Sequence, residues 1–234
     1  MQIKRKILYL FLILALVFNR GTLHAQSEIK LSAGINNTNY FEADMFHIGS
    51  SQEYFVAKNS YVIRLQYLKS KDNGNKQGFM LEYIHKKAFS DVFYLKTHVI
   101  SEFQTMDWSM QFINLHYVFD KQIYANDYLR LSLPVEPYIG GMIYYCLNGE
   151  QGQIEPTSSS IENINECTYA DKWLPCIGIS SGLCLQYQLC DSFEISLSTI
   201  VVVDPGSYIK NSDWTMTRSF LITLGVVYRF KEKY

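Results

Sequence analysis

Apolar residues recur at every second position along most of this chain. Ile29, Leu31, Ala33 and Ile35 alternate with Lys30, Ser32, Gly34 and Asn36. Tyr61, Ile63, Leu65 and Tyr67 alternate with Ser60, Val62, Arg64 and Gln66, and Phe79, Leu81 and Tyr83 with Met80, Glu82 and Ile84. The period continues through Ile113 to Phe119, Leu129 to Tyr145, Trp173 to Leu189 and Phe193 to Val203, and it closes with Phe220, Ile222, Leu224, Val226, Tyr228 and Phe230. A period of two puts alternate side chains on opposite faces of a strand. Eight such segments predict eight strands, an even number that suits an all-β, antiparallel up-and-down barrel with both ends on one side.

The connections alternate in length. Residues 41–59, 88–107, the polar run NGEQGQIEPTSSSIENINECTYADK and the run DPGSYIKNSDWT are long. Between them lie KSKDNGNK, whose Asp72, Asn73 and Gly74 are strong turn chemistry, then DKQIYAN, then a tight turn at Cys190, Asp191 and Ser192. Short turns on one side and long loops on the other are the pattern of a transmembrane barrel. The apolar face then meets lipid. Several strands reach the roughly 9–11 residues that cross a bilayer when tilted, and aromatics gather near strand ends, where interfacial girdles belong. The opposing face is polar but thin in charge, unlike the Lys- and Glu-rich surface of a soluble domain. The competing expectation is a soluble exported lipocalin-like barrel, with its apolar face turned inward around a small apolar ligand.

The N-terminus changes the compartment. Lys4, Arg5 and Lys6 precede a twelve-residue apolar run, ILYLFLILALVF, and a small residue at Ala25. This is the layout of a signal peptide over residues 1–25, too short for the roughly 20 apolar residues of a membrane-spanning helix. The barrel domain is then expected over residues 26–234. Removing the leader takes away Lys4, Arg5, Lys6 and Arg20 and leaves 17 basic against 22 acidic residues, a balance of −5. That is no footprint for nucleic acid.

The strand runs resemble a known family. SEIKLSAGINNTNYF, MQFINLHYVF, LSLPVEPYIGGMIYY, CIGISSGLCLQYQL and LGVVYRF are similar to the small outer-membrane β-barrels of the Bacteroidetes PorT-like family, over nearly the whole mature chain. The chain departs from that pattern in its KEKY tail after Phe230 and in its cysteines. The resemblance implies an envelope or secretion-associated role.

An eight-stranded barrel is just wide enough for its own side chains to fill, and charges buried there must pair. Folding two strands about the Asp-Asn-Gly turn sets Tyr67 opposite Phe79, Leu65 opposite Leu81, and Arg64 opposite Glu82, both inward. A second group is expected near the periplasmic end from Lys30, Glu194 and Arg229. Glu136 with Arg130 or His116 is a third. Together these form the expected lumen charge network.

All five cysteines follow residue 145. Pairing Ile143 with Ile179 would set Cys146 opposite Cys176 at the outer rim, the expected disulfide, with Cys167 competing. The odd count leaves at least one thiol unpaired or joined between chains. No Cys or His spacing suits a metal. The histidines have no nucleophile at a telling spacing, and neither HExxH nor a phosphate loop occurs, so no enzyme and no cofactor are expected.

The expected location is the outer membrane, with both termini periplasmic and the long loops extracellular. The expected partners are outer-membrane lipid and envelope or secretion-complex proteins, with no small-molecule substrate. The loops, rich in Glu150, Glu155, Glu162, Glu166 and Asp171, offer a further reading as an adhesion or binding surface.

Overall fold

The computed structural model describes residues 27–42, 52–71, 73–95, 101–154, 159–207 and 215–230. The expected leader and the KEKY tail lie outside them. Eight strands follow in chain order: β1 (Ser27–Glu42), β2 (Gln52–Ser70), β3 (Lys76–Leu95), β4 (Ser101–Ala125), β5 (Leu129–Ile154), β6 (Ser159–Cys190), β7 (Phe193–Ser207) and β8 (Thr215–Arg229). Each pairs antiparallel with the next, and β8 returns to β1, so the barrel is closed. Closure leaves no sheet edge within the barrel wall.

The alternation sorts the two faces. Leu31, Ile35, Leu115, Ile139, Leu183, Ile222, Leu224 and Val226 stand exposed on the outer wall. Their neighbours Ser32, Asn36, Asn114, His116, Cys184, Leu221, Thr223 and Val227 are buried inside. Aromatic rings cluster outside near the short turns: Phe79 and Tyr117 lie 5.2 Å apart, Tyr117 and Phe119 4.6 Å, and Phe193 and Tyr228 5.2 Å between centroids. Tyr61 and Tyr83, 5.8 Å apart, mark the opposite rim. The interior is layered: Val62, Ile84, Phe112, Tyr138, Met142 and Leu221 belong to an apolar cluster towards the long-connection end, and charged and neutral polar side chains, with a smaller apolar cluster of Leu68, Met80 and Val118, fill the rest.

The turn between β2 and β3 rests on Gly74, whose φ of 77° lies in the left-handed region. A Cβ there would be strained and would meet the Gln122 side chain at 2.6 Å. This turn sets the β2–β3 register at Arg64↔Glu82, Leu65↔Leu81 and Tyr67↔Phe79, as its sequence predicts.

The expected connections are longer than the observed ones: β2 already begins at Gln52 and β4 runs to Ala125. Residues 88–107, expected as a loop, are strand up to Leu95 and again from Ser101. The long polar run after β5 is mostly ladder as well, paired from Leu147↔Glu166 to Ile154↔Ser159. Polar residues on both faces hide a strand from an alternation pattern, but the ladder satisfies the backbone whatever the side chains are. The β5–β6 register also differs. Ile139 pairs with Ile177 and Pro137 with Ile179, so Ile143 does not face Ile179.

Candidate functional site

The lumen is where the chain concentrates its charge. At mid-height Arg64 on β2 bridges two carboxylates. Its Nε donates to Glu82 Oε2 at 2.9 Å, and its Nη2 donates to Glu136 Oε2 at 2.6 Å. All three side chains are essentially without solvent contact. Glu82 Oε1 accepts from Asn114 Nδ2 at 2.9 Å, and Glu136 Oε2 accepts from Ser180 Oγ at 2.6 Å. His116 places Nε2 3.3 Å from Glu82 Oε1 and lies against the Tyr138 ring, 4.6 Å between centroids. Gly140 makes room for this layer, because a Cβ there would sit 2.0 Å from Asn114 Oδ1. The planar guanidinium suits two acceptors at once. The arrangement is a lock that ties β2, β3 and β5 together across the barrel.

Glu136, expected beside Arg130 or His116, meets neither. Arg130 and Glu136 lie six residues apart on one strand, about 20 Å at roughly 3.3 Å per residue. Arg130 instead lies 3.6 Å from Asp120 Oδ2 and donates to the Gly74 carbonyl at 2.9 Å. His116 turns to Glu82.

At the short-turn end a second charged layer surrounds an open cavity of about 390 Å³, lined by Glu28, Lys76, Arg130, Gln186, Glu194 and Arg229 among others. Arg229 Nη2 reaches Glu194 Oε1 at 2.5 Å, and its Nε lies 3.8 Å from Glu28 Oε2. Lys76 pairs with Glu28. Lys30 does not join Glu194 and Arg229 as expected. Arg229 already occupies Glu194, and the Lys30 ammonium lies 3.1 Å from Ser198 Oγ and 3.2 Å from Cys184 Sγ. Above it a gap of about 10 Å³ remains, room for about one water. Among the described residues Glu28 Oε1, Glu194 Oε2 and Asp120 Oδ1 are buried without a protein hydrogen-bond partner.

At the other end Lys86 on β3 pairs with Asp204 on β7, and its Nζ lies 5.0 Å from the Phe112 ring centroid. Neither this pair nor Glu28 with Lys76 follows from pairing neighbouring strands, since each spans the lumen between strands that are not adjacent. The available signal is parity: Lys86 shares the inward face of β3 with Glu82 and Ile84, and an inward charge requires a partner.

The disulfide joins Cys146 to Cys167, and Cys176 is free and buried. The expected pairing of Cys146 with Cys176 fails for two reasons. The β5–β6 register places Gly140 opposite Cys176 and Cys146 opposite Cys167. A bulge at Ile143 also changes the facing of β5. Phe112 pairs with Met142 but Gln111 with Tyr144, so beyond the bulge Tyr145 takes the inner face and Cys146 the outer one. Cys176 keeps the inner face, with Sγ 3.4 Å from Asn114 Oδ1. Thiol labelling should therefore count three reactive thiols in the unfolded, unreduced chain, with only Cys190, exposed at the β6–β7 turn, reacting rapidly in the folded barrel. Rapid labelling of folded Cys176 would contradict its buried position.

No protein family matches the chain, and no curated protein matches it. Solved structures match over most of its length. Ail, the attachment invasion locus protein of Yersinia pestis, in complex with the heparin analogue sucrose octasulfate, is 16% identical, covering 88% of this chain and 99% of its own, with a TM-score of 0.37. The outer membrane protein OprG from Pseudomonas aeruginosa is 10% identical, covering 89% and 98%, with a TM-score of 0.39. A major outer membrane protein from Thermus thermophilus is 12% identical, covering 86% and 99%, with a TM-score of 0.36. At these scores the eight-stranded closed barrel rests on the chain's own strand pairing.

Proposed function

We propose that this chain is an outer-membrane β-barrel with a structural or envelope-associated role, a filled lumen and no catalytic activity. The observation that carries the reading is the arrangement of the wall. Exposed Leu, Ile, Val and ring-bearing side chains cover the outside of a closed barrel whose interior holds buried, paired charge. A water-soluble protein has the reverse arrangement, and a lipocalin-like carrier of an apolar ligand needs an apolar cavity where this lumen holds Arg64, Glu82 and Glu136. In lipid, only a closed barrel satisfies a strand's backbone. The short turns and both chain ends then face the periplasm, and the long strand extensions face outward. The PorT-like strand runs add a link to secretion-complex partners.

In a heat-modifiability gel of detergent-extracted envelopes, the unboiled protein is expected to migrate differently from the boiled one and to stay with the outer membrane. Release into the soluble periplasmic fraction would sink the reading. In planar bilayers the Arg64 layer and the apolar layer above it should keep the barrel from conducting, so large stable currents would overturn the filled lumen. A second reading, binding through the outer extensions, is favoured by how far β4, β5 and β6 run beyond the apolar belt.

A further inference from the structure

The barrel wall is closed, but its outer extension is not. β7 begins to pair with β6 at Cys176↔Ser207. Beyond that point residues 159–169 pair with β5 alone, from Tyr144↔Tyr169 up to Ile154↔Ser159. Among the described residues no strand pairs with the other side of 159–169, so within them β6 presents a row of backbone N–H and C=O groups. Proteins usually blunt such an edge with charged side chains, above all Lys, with Pro or with a short strand, and here the charges are Glu162 and Glu166. The sequence from 159 to 169, SSIENINECTY, contains neither Lys nor Pro. The edge is also held ready, because β5 backs it, β4 backs β5 from Ser101↔Ile154 downward, and the disulfide from Cys146 to Cys167 staples it to β5.

We infer that residues 159–169 take up an added strand from an extended basic polypeptide. This goes beyond the membrane-barrel reading by naming the surface and its partner chemistry. It rests on the ladder, and it can fail while the barrel's membrane behaviour stands. The side chains set the complement. Glu162, Ile164 and Glu166 share one face, and the two carboxylates are about 13 Å apart at roughly 3.3 Å per residue. Ile161, 62% exposed, and Tyr169, 63% exposed, stand on the other face. A strand laid against this edge finds its best cross-strand pairs with Lys or Arg opposite each Glu and an apolar residue opposite Ile164. Main-chain bonds supply the attachment and the alternate side chains the selectivity. A second copy of this chain is a poorer occupant: antiparallel self-pairing centred on Ile164 sets Glu162 of one copy opposite Glu166 of the other, twice.

The test uses the full chain folded in lipid nanodiscs and a labelled peptide, Thr-Lys-Thr-Val-Thr-Lys-Thr, read by fluorescence anisotropy. The expected result is saturable binding about ten-fold tighter than for the same peptide with both Lys replaced by Glu. N-methylation of alternate peptide nitrogens, which removes donors and keeps charge, should abolish binding. E162K/E166K should reverse the charge preference while leaving heat-modifiable mobility unchanged. Equal binding of the N-methylated peptide would reduce the effect to surface charge and overturn strand addition, as would an absence of saturable binding. A concentration-dependent dimer that E162K/E166K alters would assign the edge to a second copy and overturn the basic partner.

Discussion

Replacing Arg64 with methionine is expected to destabilise the barrel by roughly 3–5 kcal/mol, the cost of leaving buried charge without its partner. The guanidinium is the shared cation of Glu82 and Glu136, at 2.9 and 2.6 Å, in a layer without solvent contact. Without it two carboxylates face the same dry centre, Glu82 with Asn114 and His116 beside it. The loss should not be read as what the bridge contributes to folding. Forming such a pair costs desolvation of both partners, and uncharged replacements of similar volume are often neutral or better. Arg64→Met combined with Glu82→Gln and Glu136→Gln is therefore expected to recover half or more of the loss, since each Gln still accepts from Asn114 or Ser180. Urea titration in detergent micelles, followed by tryptophan fluorescence, measures both variants. A single variant that unfolds with the parent would show that the layer does not hold the barrel together. A triple variant no better than the single one would show that the charges themselves are required.

What could be read in advance, and what could not, divides along physical lines. Strand number and order were legible because each strand has one apolar face, and a one-residue slip would turn that whole face inward. Arg64 opposite Glu82 was legible because a tight turn with Gly74 at positive φ fixes the register within one hairpin. Arg229 beside Glu194 was legible because β7 and β8 are neighbours with a tightly constrained ladder. The β5–β6 register was not. The sequence reads as one long polar run where those strands meet, and alternation alone cannot tell a register from one shifted by two residues, since both keep the same faces. A bulge such as the one at Ile143 leaves no mark on composition, yet it moves Cys146 to the outer face and decides the disulfide. Glu136 as the second partner of Arg64, and Lys86 with Asp204, depend on the width of the closed barrel rather than on any neighbouring pair of strands.

The sign of one substitution on the outer wall separates lipid from water. Leu224 sits midway along the outward face of β8, between Phe220 and Tyr228, and is 62% exposed. In a soluble barrel an exposed Leu→Arg change costs almost nothing and improves solubility. In a bilayer the same guanidinium lies near the midplane, where an arginine on the lipid face of a barrel costs roughly 2–4 kcal/mol. Leu224→Arg is expected to lower stability by that amount when the barrel unfolds reversibly from lipid vesicles in urea. Depth supplies the control. Tyr228 lies at the rim, beside Phe193 at 5.2 Å between ring centroids, where the charge term falls to about 0–1 kcal/mol. Tyr228→Arg should therefore cost less than Leu224→Arg, even though it removes an aromatic contact. Position 226, exposed between them, should give an intermediate loss. A graded series of this kind follows from a dielectric that changes with depth, and no arrangement of protein contacts on an open surface reproduces it. Equal small losses at 224, 226 and 228, or a gain at 224, would place water against this wall and return the barrel to the soluble class.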